Sequence, residues 1–380
     1  MKIQISDELL EYAVSIRRHL HEYPEVGFEL EKTAAFVSDE LNKIGIPNTD
    51  KYGKCSVVGE IGQGERIIAL RADMDALPIE ERTDVPFKSR IQGQMHACGH
   101  DSHTGVMLAV AKFLKSHESE LNCRVRFIFQ PAEESAVSGA KMMVDNGVMD
   151  GVDKIICTHC ENEFEVGTIG LHKGDYMAAC IPMTITFFGK SSHAALPQYG
   201  IDAVAMAVGA YVEMKKAVKE EANGAKYIWS VGTFNGGTAH NIICDKVKMD
   251  ISFRFYDMDF AKRTEKRVKE ICTAVSERYG GRYEIDWHMS TGPVYNDDEI
   301  TERFGEIIEE NGINICQMPQ RMSSEDFGWY LTKSRGMIFR FGTRNEELGC
   351  TALAHRCDFK IDEEGIRYAI ITFCAYIMSL

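Results

Sequence analysis

RIIALRAD, residues 66–73, runs Ile67, Ile68, Ala69, Leu70 without a polar break. It then ends on Asp73, with Asp75 two residues further on. A strand with one face in water alternates apolar and polar residues, whereas an unbroken run suits a strand covered on both faces. CSVVGEI (55–61), RVRFIFQ (124–130) and KIICTH (154–159) read as strands too. Helical patterns, TGVMLAVAKFLKS (104–116) and SGAKMMVDNGV (138–148), separate the later runs. Strands alternating with helices imply an α/β fold, a mostly parallel sheet with helices on its faces. Upstream, Ser6 is placed to cap a first helix through Leu20, and Gly45 to stop a second that carries Ala34, Val37, Leu41 and Ile44.

The rhythm changes after about residue 178. IPMTITFFG (181–189) alternates, a helix follows from Asp202, YIWSVGTF (227–234) and KVKMDISFRFY (246–256) read as strands, a helix spans 260–279, and RYEIDWHM (282–289) closes the segment. The order β-α-β-β-α-β is that of a ferredoxin-like α+β unit with an antiparallel sheet. α/β character resumes with GMIFRFG (336–342) and a last helix from Asp362, so the unit is inserted. The expected domains are 1–178 with 293–380, and 179–292.

Composition narrows the function. A net charge of −14 disfavours nucleic acid and anionic membrane as partners. The longest apolar run, AVAMAVGAYV (203–212), is about half a membrane span and reads as a buried helix. The N-terminal stretch lacks the apolar core of an export signal, so a cytoplasmic location is expected. The 12 cysteines are irregularly spaced, which favours free thiols over a disulfide framework. Cys157 and Cys160 have redox spacing, but two thiols at the end of a buried strand is the plainer reading.

The chemistry collects at strand ends. RIIALRADMD ends on Asp73 and Asp75, RVRFIFQPAEE on Glu133 and Glu134, KIICTHC on His159, and MHACGHDSHT (95–104) precedes a helix. In parallel α/β sheets ligands gather outside the carboxyl ends of strands, so these residues share a rim. Thiolate, imidazole and carboxylate together suit a borderline-soft divalent ion such as zinc, whereas calcium and magnesium want more oxygens. Of two adjacent glutamates on an extended chain, one can ligate while the other faces a water as general base, which describes hydrolysis. A lone histidine or glutamate of this kind is usually a solvated surface group; convergence at several strand ends raises the odds.

RRHLHEYPEVGFEL (17–30), RADMDALPI (71–79), MHACGHDSHTGVMLAVA (95–111), FIFQPAEE (127–134), GKSSHAALPQYGIDAV (189–204), NGGTAHNII (235–243) and SSEDFGWY (323–330) follow one another in order. Together they resemble the two-domain metallo-amidohydrolase and peptidase family that includes aminoacylases, on the branch of hippurate hydrolases, N-acetyl-diaminopimelate deacetylases and indole-acetyl-amino-acid hydrolases. The resemblance implies a zinc-peptidase-like catalytic domain with an inserted lid and dimerisation domain, hence a homodimer. It implies two divalent ions per subunit, zinc or manganese foremost and nickel or cobalt as alternatives. Their ligands would be Cys98, His100, Glu134, His159 and His355. Glu133 would be the general base and Asp75 would orient it or a ligand. His193 would stabilise the oxyanion in the partner's site, with Asn241 and Arg254 as substrate-binding candidates. Siblings carry His where Asp73 stands. The motif around His355, LAHRCDF (353–359), lacks the usual Ser-Pro.

The activity expected from the resemblance is hydrolysis of N-acyl amino acids. Alternatives are a dipeptidase or carboxypeptidase, or a diaminopimelate deacetylase, on the same scaffold. A metal-stabilised binding protein is the non-enzyme alternative, and it would need Glu133 to be idle.

Overall fold

The computed structural model describes residues 2–380. Its chain divides into two compact units: Met1–Tyr176 with Val294–Gln320 and Asp326–Leu380, and Met177–Pro293 with Arg321–Glu325. The short piece 321–325 groups with the smaller unit, apart from the rest of 293–380, which is expected to join the larger one.

The larger unit is built on eight strands: β1 (Asn48–Thr49), β2 (Val57–Gly62), β3 (Ile67–Asp73), β4 (Arg124–Gln130), β5 (Val152–Glu165), β6 (Thr168–Leu171), β13 (Asn314–Gln317) and β14 (Arg335–Arg344). Their order is β1-β2-β4-β3-β5-β14-β6-β13. The centre, β4-β3-β5-β14, is parallel, while β2 and β6 join it antiparallel. β3 is buried at every position, as its unbroken apolar run requires. Two further short strands, β7 (Gly174–Met177) and β12 (Val294–Asn296), pair with each other.

Helices α1 (Asp7–Glu22), α2 (Glu31–Ile44), α3 (His100–Ser116), α4 (Gly139–Asp145), α7 (Asp298–Glu310), α8 (Gly328–Leu331) and α9 (Gly365–Met378) belong to the larger unit. The Ser6 side chain accepts from Leu9 N at the start of α1, and Gly45, at φ 83°, ends α2. α3 starts at His100, four residues before the apolar pattern begins. Gly99, at φ 83°, makes that turn, and a Cβ on it would strike the Cys160 thiol. His100 and His103 therefore lie in the first turn of a helix.

The smaller unit holds β8 (Ala179–Phe188), β9 (Tyr227–Gly236), β10 (Lys246–Phe255) and β11 (Arg282–Trp287), with α5 (Ala203–Ala222) and α6 (Met258–Tyr279). The sheet order is β11-β8-β10-β9, antiparallel throughout, and the chain order is β-α-β-β-α-β. Inward residues of β8 and β10 alternate with polar outward ones, which gives the unit its own core under two helices. Phe253 is at its centre, ringed by Trp229, Phe255, Phe260 and Trp287. Phe253→Ala is expected to destabilise this unit by about 3–5 kcal/mol, read as a shifted midpoint in urea unfolding.

The reading of 203–212 as a buried helix is corrected. α5 buries Ala203, Met206, Ala207 and Ala210, but Val204, Val208 and Val212 form an i, i+4, i+8 stripe that is 39%, 47% and 60% exposed. Among the described residues no helix is long and apolar enough to cross a membrane.

Candidate active site

The ends of β3 and β4 and the start of α3 bring the strand-end residues together with His159, which lies within β5 (Val152–Glu165) and not at its end, where the sequence pattern places it. Cys98, His100 and His159 offer donor atoms that all lie within 4.8 Å of one another, as do Cys98, Glu134 and His355, and His100, Glu133 and Glu134. The five residues taken from the resemblance as ligands are thus one cluster, with Cys98 common to two of its groups. Cys98 Sγ lies 3.3 Å from His159 Nε2, and His355 Nε2 lies 3.0 Å from Glu134 Oε1. His159 Nδ1 sits 2.6 Å from Cys160 O, and its Nε2 faces Cys98. The guanidinium of Arg340, 3.1 Å from the same Nδ1, is held by Tyr176 Oη and Glu161.

The loop after β4 presents the two glutamates. Asp75 is buried and accepts from Glu133 N and Glu134 N, each at 3.0 Å. Among the described residues, Ala132, at φ 55°, and His355, at φ 68°, are two of four non-glycine residues in the left-handed region. Such strain costs about 1–3 kcal/mol at each position and gathers at functional sites.

Electrostatics point the same way. Burial alone would lower the pKa of His100, but Asp73, Asp75 and Glu134 outweigh it and raise it to about 10. Burial would raise the Glu134 carboxyl, yet His355 and His100 bring it down. Burial, then Glu134 and Glu133, push the Cys98 thiol well above its usual range. Burial and Arg340 hold His159 well below its own. So many acceptors around one imidazole favour added positive charge, and a divalent cation is the strongest form of it. Both ring nitrogens of buried His100 lack a hydrogen-bond partner, a costly state that a coordinated ion relieves. The donor set fits a borderline-soft cation.

Asp73 and His103 fall inside this constellation but are already engaged. Asp73 pairs with buried Arg71 at 2.7 Å and lies 2.6 Å from His103 Nδ1. His103 Nε2 accepts from Cys160 N at 2.9 Å, so neither nitrogen of His103 is open to an ion. Burial would raise the Asp73 carboxyl, but His100, Arg71 and His103 hold it well below its ordinary value.

His193, Asn241 and Arg254 are in the smaller unit. His193 and Asn241 are on neighbouring loops, joined by Ala194 N to Asn241 O at 2.9 Å and by the bridge between His193 and Ile242. His193 Nδ1 accepts from Ala195 N, so the neutral ring carries its proton on Nε2. Arg254 commits Nη1 to Met322 O and Ser324 Oγ and Nε to Ser252 Oγ, which ties 322–324 to the smaller unit's sheet.

Sequence reasoning missed a buried charge cluster behind the site. His21 Nδ1 lies 2.7 Å from Asp101 Oδ2, and His21 Nε2 lies 3.2 Å from Glu81 Oε1. Arg17 Nε is 3.5 Å from Asp101. Burial would lower His21, but hydrogen bonds to Asp101 and Glu81 leave it raised. The available signal was position: Arg17 and His21 fall on the same stripe of α1 as Ala13. The 12 cysteines are present as thiols, with Cys157 and Cys160 buried in β5.

The model of the family described as Peptidase family M20/M25/M40 matches residues 69–379. N-acetyl-L-cysteine deacetylase of Bacillus subtilis is 35% identical over 356 residues, 93% of this chain and 84% of its own. N-acyl-L-amino acid amidohydrolase of Geobacillus stearothermophilus is 37% identical over 305 residues, covering 80% of this chain and 82% of that protein. A crystal structure described as a dinuclear metal binding peptidase from the M20 family of Bacillus subtilis superposes with a TM-score of 0.84 at 30% identity, covering 98% of this chain and 99% of that one. The chain therefore belongs to peptidase family M20/M25/M40, whose members hydrolyse amide bonds, in agreement with the family its motifs resemble.

Proposed function

We propose that this protein hydrolyses the amide bond of N-acyl amino acids with the help of two divalent cations, zinc or manganese foremost, held by Cys98, His100, Glu134, His159 and His355. The single observation that carries the reading is the convergence of these five side chains beside Glu133, with neither nitrogen of His100 in a hydrogen bond and Asp75 and Asp73 near them, at 3.5 and 3.7 Å. Cys98, Glu134 and His159 each belong to two donor groups and His100 to three, so these residues with His355 would hold two neighbouring ions between them. When bound, the cations polarise the amide carbonyl and make a nearby water acidic enough to be deprotonated near neutral pH.

The chain's own residues do the rest. Asp75 holds the backbone amides of Glu133 and Glu134 and so aims the first carboxylate at the attacking water while the second binds metal. Glu133 takes the proton of that water as its oxygen attacks the carbonyl carbon, then returns it to the leaving nitrogen. His193, with its proton on Nε2, donates to the oxyanion developing in the site of the partner subunit. Asn241, on the loop beside it, orients the substrate. Arg254 has only Nη2 left to offer a substrate carboxylate, so its main role is assigned to holding 322–324.

The smaller unit serves as lid and as homodimer contact. The exposed valine stripe of α5 and the edge strand β9, with Ile228 and Phe234 exposed, are the surfaces assigned to the partner. Twelve cysteines present as thiols suit a cytoplasmic enzyme.

The test is a hydrolysis screen of N-acetyl-methionine, hippurate and a free dipeptide, with zinc, manganese, cobalt and nickel supplied separately. Cleavage of the acylated substrates, with the free dipeptide at least about tenfold slower, is expected. Faster cleavage of the dipeptide would make this a peptidase, and no cleavage with any metal would leave Glu133 without a role.

A further inference from the structure

The loop that carries Glu133 and Glu134 is fastened at both of its roots by a carboxylate from a distant part of the chain. Asp326 is buried with no exposed surface. Its Oδ2 accepts from Ser138 Oγ at 2.7 Å, Gln130 Nε2 at 2.9 Å and Ala140 N at 3.2 Å. Its Oδ1 accepts from Gln130 Nε2 at 2.9 Å and Arg71 Nη2 at 3.0 Å. Gln130 is the last residue of β4, and Ala140 is in the first turn of α4. One side chain thus grips both ends of the segment 131–138.

Between those ends the segment is tightly closed. Gly139 N donates to Ala132 O at 3.1 Å. A Cβ on Gly139 would collide with Pro131 O. Ala132, directly before Glu133, is held at φ 55°. A strained residue of this kind relaxes unless its surroundings over-determine it. Asp75 restrains the middle of the loop, and Asp326 restrains the roots.

We propose that Asp326 is a positioning residue for the reaction, and that it keeps Glu133 aimed by fixing the distance and angle between the end of β4 and the start of α4. The proposal rests on the reading of Glu133 as the general base and adds to it a residue nearly 200 positions away in sequence.

Asp326→Asn is the informative variant. It keeps the size of the side chain and one oxygen for Arg71 and Gln130, but turns an amide NH2 toward the Ala140 N–H and weakens that root. A shift of about 1 Å in a catalytic group costs up to about 100-fold, so kcat is expected to fall about 30- to 100-fold. KM should stay within about twofold, and bound metal should be unchanged. Hydrogen exchange followed by mass spectrometry should show faster exchange confined to peptides covering 131–139. Ser138→Ala removes one grip and is expected to lower kcat about fivefold, the scale of one hydrogen bond.

Wild-type kcat in Asp326→Asn, or loss of metal and activity in step with faster exchange throughout the unit, would overturn the proposal. If Asp326→Asn does not fold, Ser138→Ala decides, and unchanged kcat with unchanged exchange counts against it. Glu133→Gln is measured alongside. An inactive Glu133→Gln with an unaffected Asp326→Asn sinks only the positioning role, whereas an active Glu133→Gln sinks the base reading and this proposal with it.

Discussion

Glu133→Gln is expected to lower kcat by about 1,000-fold, or ~4 kcal/mol of barrier, while the protein keeps its fold and its metals. The amide is nearly the same size as the carboxylate but cannot take a proton from water. The backbone amide of residue 133 still donates to Asp75, so the loop stays in place. Glu134 and the cluster around Cys98 are unchanged, so the cations remain. KM should change little, because the lost interaction belongs to the transition state. Metal content and steady-state kinetics on one preparation check this. Turnover near wild type would mean that another group takes the proton.

Cys98→Ala is expected to have the larger effect on the protein itself. Cys98 Sγ is shared between the group with His100 and His159 and the group with Glu134 and His355. Removing it takes a donor from both. Loss of a group merely behind a ligand lowers metal affinity by up to about 100-fold, so loss of a shared ligand should exceed that. Activity should fall to background, and added metal should restore it only at concentrations far above those the wild-type protein needs. Isothermal titration of the metal-stripped proteins measures the difference directly. Equal affinities in the two proteins would remove Cys98 from the ligand set.

Much of the frame was legible because apolar periodicity is a local property. The unbroken run at 67–70 required a strand covered on both faces, and β3 is that strand. The switch to alternation after residue 178 announced the antiparallel sheet of β8–β11. Ser6 and Gly45 act at the helix ends where their chemistry suits them. The strand ends mark where polar residues gather, and Cys98, His100 and Glu134 do gather there, joined by His159 from within β5.

What stayed hidden depends on pairing across long sequence separations. Arg71 looks like a charge misplaced in an apolar strand until Asp73 and Asp326 are seen to neutralise it. Asp326 belongs to a motif that family resemblance singled out without giving it a task. His21 and Asp101 are 80 residues apart, and nothing local couples them. The start of α3 was placed late because His100 and His103 break the apolar pattern that marks the rest of the helix. The run 203–212 reads as a buried helix because valine is apolar wherever it stands. Only the coordinates show that Val204, Val208 and Val212 lie outside this unit's core.

The most direct test of the two-cation reading is metal stoichiometry with anomalous diffraction on crystals of the metal-loaded protein. Two cations per chain are expected, held among Cys98, His100, Glu134, His159 and His355. A single cation, or a pair bound away from Cys98, would contradict it.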